Sequence, residues 1–96
     1  MNQYEVALII RPDVEQEGQD AVIERLSEIL TTDGGQVENV EAWGRRRLAY
    51  PINKVQEGFY YFIQGQFATS VLPELDRSIK LSESILRHMV IRMDKK

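Results

Sequence analysis

Hydrophobic positions along the chain switch between two periods. Tyr4, Val6, Leu8 and Ile10 take every second place in a run rich in β-branched residues, with Ile9 between them, which predicts a strand covered on nearly both sides. Arg11-Pro12-Asp13 ends it, because proline lacks a backbone donor and turns the preceding residue away from helical geometry. From about residue 15 to 33 the period lengthens. Val22, Leu26, Ile29 and Leu30 form a single helical stripe, with Glu24, Arg25 and Glu28 on the water side. Glu15, Glu17 and Asp20 suit the positive end of the helix dipole, and Gly34-Gly35 is placed to close the helix in left-handed backbone.

Residues 36–52 return to alternation, with Val40 and Ala42 before Gly44 and Leu48, Tyr50 and Ile52 after it, so a long strand with a bulge at the glycine is expected. Asn53 to Gly58 reads as a turn, and Phe59 to Phe67 as an aromatic strand folding back on the other side of it. Ser70 is placed to cap a second helix that carries Pro73 in its first turn and Leu72, Leu75 and Ile79 on its inner side. A last strand runs from about Ile85 to Met93. The order β-α-β-β-α-β is that of the ferredoxin-like α+β fold, in which right-handed crossovers put both helices on one face of a four-stranded antiparallel sheet. With 96 residues, 43% of them hydrophobic, and no repeat or linker, one domain spanning 1–96 is expected.

These strands alternate imperfectly. Ile9 beside Leu8 and Ile10, Met89 beside Val90 and Ile91, and the unbroken run Phe59 to Phe62 leave apolar side chains on whichever face is turned outward. A helix-free sheet face normally mixes polar residues against water, so a protein partner is expected to cover part of this one.

Composition then narrows the chemistry. The absence of cysteine removes disulfides, thiolate metal sites and cysteine nucleophiles, and a single histidine, His88, makes a metal cluster or other cofactor unexpected. No apolar stretch approaches the roughly 20 residues of a membrane-spanning helix, and Met1-Asn2-Gln3-Tyr4-Glu5 is not a basic-then-apolar leader, so a cytoplasmic protein without a membrane partner is expected. Net charge is −3, yet its distribution is lopsided. Residues 1–41 hold ten acids and two bases, a balance of −8; residues 42–96 hold five acids and ten bases, a balance of +5. A phosphate-contacting patch is therefore possible on the second part, although charge alone is equally met by a solvated surface.

The densest positive run is Gly44-Arg45-Arg46-Arg47-Leu48-Ala49-Tyr50-Pro51-Ile52. On a strand the three arginines point alternately, Arg46 opposite to Arg45 and Arg47, unless a bulge at Gly44 re-aims them. A guanidinium donates paired hydrogen bonds to phosphate and keeps its charge, but arginines on an edge strand also discourage aggregation. Spacing leaves both readings open.

The same run resembles the signature of the bacterial small-subunit ribosomal protein six family: a glycine, two or three basic positions, Leu-Ala-Tyr-Pro-Ile and a nearby lysine, here Lys54. Tyr4-Glu5 at the first strand, Gly58 before the aromatic strand, and Arg87 and Met89 in the last strand agree in order, so the resemblance spans nearly the whole chain. It implies a non-catalytic constituent of the small subunit, bound to the central domain of ribosomal RNA beside small-subunit ribosomal protein eighteen. No cofactor and no small-molecule substrate are implied. Carried over by position, Arg45, Arg46, Arg47, Tyr50 and Lys54 become candidate RNA or partner contacts, with Arg87 and Arg92 as looser matches. Some members carry a long acidic tail that can be modified; with Asp94-Lys95-Lys96 in its place, tail modification is not expected here.

Three other readings share the topology. RNA-recognition motifs stack bases on sheet aromatics, but Gly58-Phe59-Tyr60-Tyr61-Phe62-Ile63 only loosely echoes their signature. Small acylphosphatases hold phosphate with an arginine after the first strand, where Arg11 stands; the loop Arg11-Pro12-Asp13-Val14 has neither the glycines nor the freedom from acids of an anion cradle. A regulatory or oligomerisation module binding a small ligand is the remaining alternative.

Overall fold

The computed structural model describes residues 1–52 and 55–93, the side chains of 49–52 excepted. Strand β1 (Asn2–Ile10) is followed by helix α1 (Gln16–Leu30), β2 (Gln36–Ile52), β3 (Val55–Phe67), helix α2 (Leu72–Leu81) and β4 (Ile85–Arg92). The strands form one antiparallel sheet in the order β2-β3-β1-β4. This is the ferredoxin-like α+β fold expected from the order of elements.

Both helices lie on one face. Tyr4, Val6, Leu8 and Ile10 of β1 meet Tyr61, Ile63 and Phe67 of β3 there, under Leu26 and Leu30 of α1 and Leu75 and Ile79 of α2. Period-two burial on the strands and a single stripe on each helix produce this one core. The odd residues of β1, from Gln3 to Ile9, are only half-buried. The expectation of a strand covered on nearly both sides thus holds for the helix side alone, because none of the described residues covers the other.

Local endings differ from the sequence reading in three places. Helix α1 stops at Leu30, before the glycines, since the Thr31 and Thr32 hydroxyls donate to the last carbonyls, at Ser27 and Glu28. A short 3-10 turn follows, and left-handed backbone falls at Asp33 (φ 64°) and Gly34 (φ 87°). Ser70 does not cap α2: it sits in a 3-10 turn, Thr69–Val71, and its Oγ donates to Asp33 Oδ2 at 2.8 Å, tying the two turns together. Pro73 does occupy the first turn of α2. The third difference is the hairpin, where Val55, Gln56, Glu57 and Gly58 belong to β3 rather than to a turn, with Ile52 paired to Val55. Gly58 is required there by close approach. A Cβ on it would meet Ile9 Cγ2 at 2.5 Å and the Ile10 carbonyl oxygen at 3.0 Å.

Candidate functional site

The helix-free face is read row by row from the strand pairing. Ile9 lies between Tyr60 and Arg87, Ala7 between Phe62 and Met89, Glu5 between Gln64 and Ile91, and Gln3 beside Gln66. Strand β2 adds Glu41 beside Phe62 and Asn39 beside Gln64. Two register skips in β2, between Val37 and Asn39 and between Ala42 and Gly44, each leave one residue without a partner position: Glu38 and Trp43. Both side chains reach this face, Glu38 to Gln3 and Gln66, and Trp43 to Phe62. Each bulge therefore adds one side chain to the surface. The bulge expected at Gly44 is present, with φ of 80°; no atom lies within 4 Å of a Cβ built there, so backbone conformation rather than space selects glycine.

One end of the face is apolar and positive. The Trp43 and Phe62 rings meet at 4.7 Å between centroids with a 50° tilt, the edge-leaning geometry that aromatic quadrupoles favour. Arg46 lies over Trp43, its guanidinium 5.5 Å from the ring centroid and its Nε donating to the Trp43 carbonyl at 3.1 Å. Ala7, Ile9, Tyr60, Phe62, Arg87 and Met89 border a shallow hollow of about 240 Å³. Trp43 and Met89 are 50% and 53% exposed, although burying either would be favourable by roughly 25 cal/mol per Å² of apolar surface.

The other end is hydrogen-bonded to itself. Gln3 donates to Glu38 at 2.9 Å, Gln64 to Glu5 at 2.7 Å, Asn39 to Gln64 at 3.1 Å and Gln66 to Glu38 at 3.4 Å. Glu5 and Glu38 make it acidic, whereas Glu41 belongs to the aromatic end, where its carboxylate accepts from Trp43 Nε1 at 3.3 Å.

The candidate residues named from sequence divide accordingly. Arg46 and Arg87 share the apolar end, Arg46 opposite Gly58 on β3 and Arg87 opposite Ile9 on β1. Arg45 turns the other way, as alternation predicts, over Phe59 at 5.8 Å and paired through Nε with Glu57 Oε1 at 2.7 Å. Arg47 has the parity of Arg45, opposite Glu57, and is exposed. Arg92 stands at the far end of β4, donating to Asn2 Oδ1 at 3.0 Å. The side chain of Tyr50 and the whole of Lys54 lie outside the described residues. Tyr60 and Phe62, from the apolar run expected to meet a partner, and Trp43, which is not among the sequence candidates, complete the surface. The signal for Trp43 was available: it is the chain's only tryptophan and directly precedes the bulge glycine.

Two further features bear on function. Arg11 pairs with Asp13 at 3.5 Å, so its charge is met within its own loop rather than aimed at an anion. On the helix side Tyr61 donates to buried Gln19 at 2.7 Å, and Gln19 donates to the Val14 carbonyl at 2.9 Å. This polar latch fixes the start of α1 against β3 directly behind Phe62.

A two-layer ferredoxin-like domain with one sheet face left open, half of it aromatic and cationic, is a binding scaffold. Comparison with known proteins agrees and is more specific. The family profile of ribosomal protein S6 matches residues 3–92. Small ribosomal subunit protein bS6 of Clostridium acetobutylicum is 42% identical over 95 residues, covering 99% of this chain and 100% of that protein. The crystal structure of 30S ribosomal protein S6 from Thermotoga maritima superposes with a TM-score of 0.89 at 31% identity, covering 96% of this chain and 87% of that one. A crystallised Arabidopsis thaliana protein, at TM-score 0.56 and 10% identity, shares the fold alone. The chain belongs to the ribosomal protein S6 family, a structural and non-enzymatic family of the small ribosomal subunit.

Proposed function

We propose that this protein binds the central domain of small-subunit ribosomal RNA cooperatively with a basic protein partner, small-subunit ribosomal protein eighteen, in the bacterial cytoplasm. The observation that carries this reading is the aromatic and cationic end of the open sheet face. Its exposed apolar side chains call for a protein cover, and Arg46 and Arg87 at its border supply charge toward phosphate. The acidic end, with Glu5 and Glu38, favours a basic partner over an acidic one.

A net charge of −3 also explains why a partner is needed: alone, the chain opposes the approach of a polyanion, and a basic partner supplies the missing positive field. Within this reading Arg45, Arg47, Tyr50, Lys54 and Arg92 serve RNA or partner from the hairpin and the far strand end, on the strength of the family signature. The test is a titration of central-domain ribosomal RNA at physiological salt with each protein singly and with both. Weak binding by this chain alone and tight binding by the pair is expected. Tight binding alone, unchanged by the partner, would overturn the proposal.

A further inference from the structure

We propose that the seam between α1 and α2, on the side of the sheet away from the partner face, binds a small amphiphilic carboxylate. A cavity of about 260 Å³ lies there, floored by Val22, Leu26 and Ile85. Arg25, Ser78, Ser82 and Ser84 supply its polar wall, and no carboxylate lines it. The volume is just below the roughly 300–1,000 Å³ of ordinary small-molecule sites, so the ligand is smaller than a nucleotide.

Two side chains point to an anion rather than to water alone. Arg25, exposed to water at the rim, makes no ion pair or hydrogen bond among the described residues, so its guanidinium is available to a ligand in the cavity it borders. Ser78 is 7% exposed, and its hydroxyl likewise has no partner there. Since no fully buried side-chain polar atom goes unpaired among the described residues, that hydroxyl opens onto the cavity whose wall it forms. Ser82 Oγ accepts from the Ser84 backbone N–H at 3.2 Å, which leaves its own proton free to donate.

Charge decides the class of ligand. The first turn of α1 favours an anion and the last turn of α2 disfavours one, so the helix ends oppose each other and the full charge that favours an anion is that of Arg25. A single guanidinium matches a singly charged carboxylate, through two parallel hydrogen bonds, better than a phosphate dianion. The apolar floor then selects a ligand with a hydrocarbon body. The adjoining groove at Arg11 offers no equivalent, because Asp13 and Glu83 line it as well. The ligand is bound and not converted, since the wall holds no paired base and nucleophile of the kind covalent catalysis uses.

Benzoate is a suitable probe, read by amide chemical-shift titration of the isotopically labelled protein. Saturable shifts are expected at Ala21, Arg25, Ser78, Ser82 and Ser84. Benzamide, the neutral analogue of the same shape, and benzoate against Arg25→Gln should each bind roughly tenfold more weakly, the scale of one charge-assisted contact. Ser78→Ala, a substitution that a helix accepts readily, should weaken benzoate by roughly two- to tenfold. Unaltered benzoate binding by a folded Arg25→Gln protein, equal binding of benzamide, or shifts centred elsewhere would each overturn the proposal.

Discussion

The two ends of the open sheet face are built from the same four strands and carry one bulge each, yet they meet water in opposite ways. At the end holding Gln3, Glu5 and Glu38, the long polar side chains bond one another, and the apolar groups left exposed beside them are Ile91 and Met93 at the β4 edge. At the end holding Trp43, Tyr60, Phe62 and Met89, apolar groups stay exposed, and Arg46 beside them gains a ring contact and a backbone contact. The fold is indifferent to this contrast, because the core lies entirely on the helix side. What differs is which end has free energy left to gain from a partner: amides already paired gain little by exchanging one hydrogen bond for another, whereas exposed apolar surface gains with every Å² covered.

The largest effect should come from placing a charge at the apolar end. Met89→Glu puts a carboxylate where a cover is proposed, and cooperative assembly with RNA and partner should weaken by about tenfold or more, the cost expected of a disrupted contact near the centre of an interface. Unfolding stability should change by less than about 0.5 kcal/mol, since Met89 is exposed. Gln66→Ala at the polar end should leave assembly nearly unchanged. Equal losses from both, measured by the same RNA titration, would erase the distinction between the ends.

Next in size is the bulge that delivers Trp43. Gly44→Ala meets no obstacle in space but places a side chain at φ of 80°, which costs about 1–2 kcal/mol in denaturant unfolding. If the bulge relocates instead, stability is largely kept while the Trp43 fluorescence and its stacking on Phe62 change. Either result shows that the glycine sets the aromatic end; neither change would show that the bulge is incidental.

How far these ends were legible in the sequence follows from their physics. Period-two and 3.6-residue patterns report burial against a core, and they located six regular elements and the inner residues of β1, α1 and α2, because one buried face dominates the free energy of such an element, whereas Val40 and Ala42 of β2 are exposed. The Leu-Ala-Tyr-Pro-Ile run carried the family. The skip at Glu38 has no glycine to announce it, and side-chain caps were misjudged where a closer partner existed: Ser70 bonds Asp33 across 37 residues instead of its own helix. The buried Gln19 was equally hidden, since nothing local tells that a glutamine will face a tyrosine 42 residues away. Long-range pairing, unlike period, leaves no mark on neighbouring positions.

The arginine run gives a smaller, sharper contrast. Arg46 lies with the aromatic end, while Arg45 is already paired with Glu57 on the reverse side. Arg46→Ala should therefore weaken RNA assembly several-fold more than Arg45→Ala and should flatten the dependence of log affinity on log salt by roughly 0.7–0.9 if one phosphate contact is lost. Folding should barely respond to either, as exposed ion pairs contribute about 0.2–1 kcal/mol. Identical salt slopes for the two variants would mean that the face on which an arginine lies does not matter.

The smallest expected effect concerns what holds β4, the strand that brings Arg87 and Met89 to the apolar end. Its intervening residue, His88, faces the helices, and His88 Nε2 lies 3.1 Å from Asp76 Oδ1 on α2. Lys80 approaches the other oxygen of Asp76 at 3.1 Å. The Lys80 hydrogen bond is the main cause that lowers the Asp76 carboxyl below its ordinary value of 3.8, with His88 adding to it and desolvation opposing both. A carboxyl lowered by folding contributes its stabilisation above its ordinary value and loses it as pH falls through the lowered one, so the Asp76 contribution to this clip is lost in acid below about pH 4. Lys80→Met should return Asp76 toward its ordinary titration, followed by carboxyl carbon chemical shift, and should move the acid loss of the clip to higher pH. Hydrogen exchange just below pH 4 should then quicken at the Arg87 to Val90 amides while those of β1 and β3 beside Gln3 and Gln66 keep their protection. Equal quickening at both ends would show that the sheet loosens as a unit and that β4 gives the apolar end no adjustable edge.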